Sequence, residues 1–287
     1  MRSSWIIFIF FSCAVVQAQI TPNNQFDRDL ILYLPLNGNI QDESPLKNNC
    51  FSWNIKPEKD KNGNNNGAFS FDNIGFIGVQ NIDNFNGLTA FTITSWIYLN
   101  KYTEHNTIIS KVNPGRDFNL QVQEDGTLNF HTYKNGYIHF NSQHKIPLQE
   151  WVYVTFTYTG KVFQMYINGE PEKFSINFEG AFVPMDELKF SFSWTGKDLT
   201  VGNLYPYARE SFYGRIDDLR VYKRVLSLSE IKKLINLKNN ERGIAYPLGD
   251  FNNSEQNKQV IDNDSFKITT PGNQKGVIDA PVQEIKL

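Results

Sequence analysis

The chain has 287 residues, 40% of them hydrophobic and 14% aromatic, with 28 basic side chains against 30 acidic ones. This length suits one large β domain, since such domains often run to roughly 200–250 residues. The near balance of charge argues against a nucleic-acid binder, which needs a basic face or stripe.

The chain opens with a targeting pattern. Arg2 supplies a positive start, Trp5 to Val16 an apolar run, and Val16-Gln-Ala18 a small-residue cleavage site. Residues 1–18 therefore read as a signal peptide, and the mature, secreted chain is expected to begin at Gln19. The apolar run falls short of the roughly 20 residues a membrane span needs, and no other stretch could cross a membrane. Phe10-Phe-Ser-Cys13 loosely matches a lipoprotein box. In that alternative Cys13 carries lipid and the protein stays at the cell surface. Cleavage after Ala18 leaves Cys50 as the one cysteine, so no disulfide can form within the mature chain. Cys50 reads as a small buried apolar residue.

Strand and turn signals follow in series. Lys56 to Gly67 is polar and punctuated by glycine, and is expected to be a mobile loop outside the core. Phe118-Asn-Leu-Gln-Val122 alternates, Asp125-Gly126 turns, and Leu128 and Phe130 resume the apolar face. Asn135-Gly136 marks a hairpin between Tyr133 and Tyr137. Val152, Val154, Phe156 and Tyr158 share a face; Thr159-Gly160 turns; Phe163, Met165 and Ile167 return. Asn168-Gly169 ends that strand, and Pro171 is expected to keep the next residues out of a ladder.

The last elements are the most legible. Leu219 and Val221 share one strand face, but Ile216 has the wrong parity, which places a bulge at Asp217-Asp218. Ser227 and Glu230 form a capping box, and Leu226 and Ile231 a hydrophobic staple. Ile231, Leu234 and Ile235 then make one apolar stripe. Residues 238–287 are a polar tail, disordered or adding an edge strand. Many short strands with regular turns and one helix mean an all-β sandwich or jelly roll.

The block Phe212-Tyr-Gly-Arg-Ile-Asp-Asp-Leu-Arg-Val-Tyr222, followed by Leu226-Ser-Leu-Ser-Glu-Ile231, resembles the closing segment of laminin-G-like, concanavalin A-like lectin jelly-roll domains of secreted bacterial type. Leu32-Tyr-Leu-Pro-Leu-Asn-Gly-Asn39 with Asp42-Glu-Ser44 resembles the opening strand and loop of that family. Phe91 to Ile97, Trp151 to Tyr158, Met165 to Gly169 and Leu199 to Asn203 resemble its inner strands, in order. The resemblance covers residues 26–237 and implies a two-sheet jelly roll with one short C-terminal helix. It also implies a structural Ca²⁺ where the opening loop meets the last strand. The matching residues are Asn37, Asn39 and Asp42, with Asp217 and Asp218. Their oxygens are the hard donors that calcium takes. The alternative is that Asp42 makes an Asx-turn with Ser44 and the Asp pair caps neighbouring amides.

Catalytic patterns of the wider superfamily do not match. The sandwich glycosidases carry Glu-x-Asp-x-x-Glu on one strand, supplying two carboxylates about 5–5.5 Å apart, and this chain has no such pattern. Lys134-Asn-Gly136 approaches the Lys-x-Gly-x-Tyr strand of the alginate lyases, but Ile138 stands where the Tyr belongs. None of His105, His131, His139 and His144 sits in a triad context, and the default for His131 and His139 is a hydrogen-bonded structural role.

A sugar site needs flat aromatics with polar neighbours. The first candidate is Trp194 to Phe212, with Tyr205, Tyr207 and Arg209; the second is the hairpin with Tyr133, Tyr137 and His139. Core packing is the competing role for each ring. The sequence thus reads as a secreted, non-catalytic carbohydrate-binding module whose partner is a glycan or polysaccharide. A protein-binding adhesion module and a diverged glycoside hydrolase or lyase are the alternatives.

Overall fold

The computed structural model describes residues 24–80, 85, 88–111, 118–133, 136–180, 199–204 and 211–237. The segment read as a signal peptide and the tail lie outside these residues. A four-residue helix α1 (Asn24–Asp27) leads into β1 (Leu30–Leu34), β2 (Cys50–Glu58), β3 (Ala68–Val79), β4 (Phe91–Leu99) and β5 (His105–Lys111). Then come β6 (Phe118–Gln123), β7 (Thr127–Tyr133), β8 (Gly136–Lys145), β9 (Trp151–Tyr158) and β10 (Phe163–Ile167). The remainder is β11 (Glu170–Glu172), β12 (Phe174–Gly180), β13 (Leu199–Val201), β14 (Gly214–Tyr222) and α2 (Leu228–Asn236).

The strands follow one hydrogen-bonded path, β11-β10-β9-β4-β14-β3-β13-β5-β6-β7-β8-β12, with β1 also on β14 and β2 on β3. Every named pairing is antiparallel. The path folds over on itself at β3. Phe69 to Phe71 pair with β14, and Ile77 to Val79 pair with β13. The fold-over brings β7 face to face with β9: Phe130 stacks on Phe156 with ring centroids 3.8 Å apart. The result is a jelly-roll sandwich. Its inner faces supply the main core, including Phe71, Phe91, Phe130, Phe140, Phe156 and Phe163. Val152, Val154, Phe156 and Tyr158 all point into it, as their spacing predicts.

A second core lies outside the β9-β4-β14 layer. Trp96, Tyr153 and Tyr222 on the strands meet Phe26, Leu226, Ile231 and Leu234. The helix is held there by its own start. Ser227 and Glu230 form the expected capping box, and the staple residues Leu226 and Ile231 are both buried. The bulge is also where parity places it. Asp217 pairs with Trp96 and Arg220 with Thr94, so β14 carries one extra residue between them. Asp218 takes φ of 52° there, and Ile216, Leu219 and Val221 all reach the core.

Two expectations need correction. Lys56 to Gly67 is not a loose loop. Lys56 to Glu58 continue β2, and buried Asp60 organises the rest. Its Oδ1 accepts from Asn62 N and Asn64 N at 2.8 and 2.9 Å, and its Oδ2 from Asn64 Nδ2 at 2.9 Å. Gly67 is needed for this, because a Cβ there would sit 2.8 Å from that of Asp60. Pro171 does not stop the ladder either: it pairs with Tyr166 in β11. That strand ends the sheet path, and an edge tolerates a residue without an N–H.

Candidate functional site

The outer face of β6, β7, β8 and β12 is polar where their inner face is apolar. Phe118, Leu120, Leu128, Phe130, Ile138, Phe140 and Ile176 alternate inward. The residues between them meet across the strands in register: Asn129 opposite Asn141, His131 opposite His139, Tyr133 opposite Tyr137. On the far side His139 faces Asn177 and Tyr137 faces Glu179.

The floor of this face is a ladder of amides. Asn119 Nδ2 donates to Gln121 Oε1 at 2.8 Å, Gln121 Nε2 to Asn129 Oδ1 at 3.2 Å, and Asn129 Nδ2 to Asn141 Oδ1 at 2.8 Å. Asn119, Gln121 and Asn129 are buried, and a buried amide is tolerated because it is hydrogen-bonded in such a network. His105 Nδ1 lies 3.0 Å from Gln121 Oε1, and His131 Nδ1 lies 3.1 Å from Asn129 Oδ1. Burial pushes His131 down to about 3, helped by the proximity of His139 and His105. The ring is therefore neutral near pH 7. A carbonyl oxygen only accepts, so the Nδ1 of His131 carries its proton and Nε2 its lone pair.

Above the ladder, toward the β7–β8 turn, stand four rings. Tyr133 and Tyr137 are 5.4 Å apart at 78°, and His131 and His139 are 5.1 Å apart at 52°. Tyr137 bridges the two pairs, 5.6 Å from His131 and 5.9 Å from His139. Tyr133 is 39% exposed. Glu179 Oε1 stands 3.5 Å from His139 Nε2. Burial lowers the pKa of His139, outweighing the Glu179 carboxylate that pulls it up. Chemically, this is an aromatic platform with uncharged imidazoles below it and one carboxylate at its side. It can stack on an apolar sugar face and accept hydrogen bonds from hydroxyls.

The spacing of Tyr133 and Tyr137 about a turn revealed the aromatic half of this site. Sequence reasoning missed the amide ladder and Glu179. The clean alternation of Asn119 and Gln121 with apolar residues was the available signal for the former. Trp194, Tyr205, Tyr207 and Arg209 lie outside the described residues. Phe212, which closes that stretch, is a fully buried core residue.

The residues read as calcium ligands do other work. Asp42 accepts five hydrogen bonds, one from β1 and four from its own loop. Its Oδ1 takes Tyr33 N and Ser44 N, both at 2.9 Å. Its Oδ2 takes Ser44 Oγ at 2.8 Å, Asn48 N at 2.7 Å and Asn48 Nδ2 at 2.6 Å. This is the Asx-turn arrangement. Asn39 Oδ1 accepts from Gln41 N at 2.9 Å, whereas neither side-chain polar atom of buried Asn37 has a hydrogen-bond partner. Asp218 is ion-paired with Arg220, and Asp217 is buried beside it. Among the described residues no group of three or more His, Cys, Asp or Glu is placed to hold a metal ion. An ion bridging Asp42 and Asp218 would have to share these carboxylates with the donors and the guanidinium they already hold.

The fold is a two-sheet jelly roll, and one of its sheets carries a polar, aromatic outer face. The chain belongs to the concanavalin A-like lectin/glucanases superfamily, whose laminin G type model matches residues 75–232, more than half of its length. No curated protein matches it. Among solved structures it is similar to the binding domain of Paraclostridial Mosquitocidal Protein 1, with a TM-score of 0.56, 17% identity, and 74% of this chain aligned to 53% of that one. It is also similar to domain 4 of AbnA, an extracellular arabinanase from Geobacillus stearothermophilus, solved with arabinotriose. That TM-score is 0.54 at 19% identity, over 72% of this chain and 98% of the other. A third is the binding domain of botulinum neurotoxin DC in complex with rat synaptotagmin II, at 0.51 and 19%, over 72% of this chain and 51% of that one. The chain thus spans about half of the toxin binding domains and nearly all of the arabinanase module. At these identities the likeness concerns the fold.

Proposed function

We propose that this protein is a non-catalytic glycan-binding module and that the outer face of β7, β8 and β12 is its binding site. The carrying observation is the Tyr133–Tyr137 ring pair set over neutral His131 and His139, with Glu179 alongside. Rings supply the stacking surface, and the exposed Glu179 carboxylate supplies a hydrogen-bond acceptor for hydroxyls. The arabinotriose complex of a module that this chain covers almost completely supports a sugar over other small ligands. The non-catalytic reading is supported by the site's neutral histidines and by its carboxylate standing next to His139 rather than facing a second carboxylate. Export is part of the same proposal and rests on the Arg2 to Ala18 pattern. Mass spectrometry of the exported chain should find Gln19 first; a lipid on Cys13 would instead make it a surface lipoprotein.

A glycan array on the mature chain, followed by calorimetry, tests the site. Tyr133→Ala and Tyr137→Ala should each weaken binding by about 0.5–1.5 kcal/mol. Parent-like affinity in both variants, with the fold intact, would move the site elsewhere, first to Trp194–Phe212. Release of reducing ends or unsaturated sugars from a polysaccharide would overturn the non-catalytic reading.

A further inference from the structure

Resting on that reading, we infer that the site takes a short stretch of a single, soluble glycan chain and does not bind the flat faces of crystalline polysaccharides. Two independent features lead to this. The first is ring geometry. A crystalline face is a plane, and binding it needs aromatic rings presented in one plane. Here Tyr133 and Tyr137 stand at 78° to each other and Tyr137 stands at 88° to His131. Tyr137 therefore cannot lie flat on a surface on which Tyr133 lies flat. The tyrosine that is not flat meets the surface edge-on, which suits a ligand that the pair can surround.

The second feature is the depth profile. Along β7 the side chains pass from exposed Tyr133 through half-buried His131 to fully buried Asn129. Across into β6, Gln121 and Asn119 are buried too. On β8, the side chain of His139 keeps 17% exposure. Among the described residues the face is therefore stepped, most open toward the hairpin end. A planar solid rests on the highest ring and leaves the recessed imidazoles out of reach. A single sugar residue can stack on Tyr133 or Tyr137 and still direct a hydroxyl at Glu179. Among the described residues the accessible tyrosine rings span one hairpin pair, so contacts run out after two or three sugar residues.

The test uses mono- to hexasaccharides of the arabinose, cellulose and chitin series, together with crystalline cellulose and crystalline chitin powders. Calorimetry on the soluble series should show affinity rising to the di- or trisaccharide in at least one series. Beyond that length each added residue should change it by less than about twofold, since the platform of described residues has no further ring to stack on. Neither powder should deplete the protein from solution. Depletion by a powder that Tyr133→Ala abolishes would overturn this inference while leaving the face as a glycan site. Affinity that climbs steadily through the hexasaccharide would also overturn it. Binding to neither the soluble series nor the powders would overturn both this inference and the glycan reading beneath it.

Discussion

Asp218 Oδ1 lies 2.9 Å from Arg220 Nη2, and the two side chains keep 0% and 4% of their exposure. The bulge makes the pair. The extra residue in β14 turns Asp218 to the side of the strand where Arg220 stands, with the guanidinium 4.1 Å from the centre of the Tyr33 ring. Removing one partner leaves an uncompensated buried charge, so Asp218→Ala should cost about 3–5 kcal/mol in urea unfolding. Replacing both, as in Asp218→Ala with Arg220→Met, should recover much of that loss. A double variant no better than the single would mean that the bulge itself, and not the charge, needs Asp218.

The same strand shows what was legible in the sequence. Two periodicities out of step at Ile216 and Leu219 can be reconciled only by an extra residue, and parity is visible without a structure. The Ser227–Glu230 cap is equally local: both partners lie within one turn. The ordering of residues 59–67 was not legible, because the polar composition that suggests a loose loop also describes one built around a buried carboxylate. Only the fold shows that Asp60 is buried and that Lys61 Nζ reaches to 4.7 Å over the Trp96 ring. The amide ladder was hidden for a related reason. Asn119, Gln121, Asn129 and Asn141 come from three strands, and their order across the sheet is set by register rather than by spacing.

The helix cap should be worth a measurable share of stability. Ser227 Oγ accepts from Glu230 N, while the Glu230 carboxylate accepts from Ser227 N and from both Arg224 Nη atoms. The hydrogen bond from Arg224 holds the Glu230 carboxyl down to about 2. Ser227→Ala should cost about 1 kcal/mol. The depressed carboxyl stabilises the fold fully above its ordinary value near 4.5, and that share is lost as pH falls toward about 2. Glu230→Gln should therefore destabilise the protein at pH 7 and make little difference at pH 2. An equal loss at both pH values would leave only packing as the cause.

Asp42 gives a direct test of calcium. Its five donors would be stranded by Asp42→Ala, at about 1–3 kcal/mol for a buried polar group left unsatisfied. If loop closure is its whole role, that loss should be the same in EDTA and in millimolar calcium, and the parent melting curve should not move between them. A calcium ion bound only by the folded state would instead stabilise it by about 2.7 kcal/mol at a hundredfold excess over its dissociation constant. A calcium-dependent rise in Tm that Asp42→Ala abolishes would make the opening loop a metal site.

Acid should destabilise the binding face before it touches the core. In the unfolded chain His131 binds a proton below its ordinary value of 6.5, whereas in the folded protein it stays neutral down to about 3. Between those values the unfolded state holds more protons, so stability falls as pH falls, by at most about 1.4 kcal/mol per pH unit for this one group. His139, lowered by burial in the same way, acts in the same direction. The Tm should therefore drop between pH 6.5 and pH 4, and His131→Asn should flatten that slope even if it lowers stability at pH 7. Glycan affinity should change little from pH 8 to pH 6, because His131 stays neutral there and burial holds His139 below its ordinary value. A slope unchanged in His131→Asn would show that His131 is protonated in the folded protein, and with it the neutral floor beneath Tyr133 and Tyr137 would be lost.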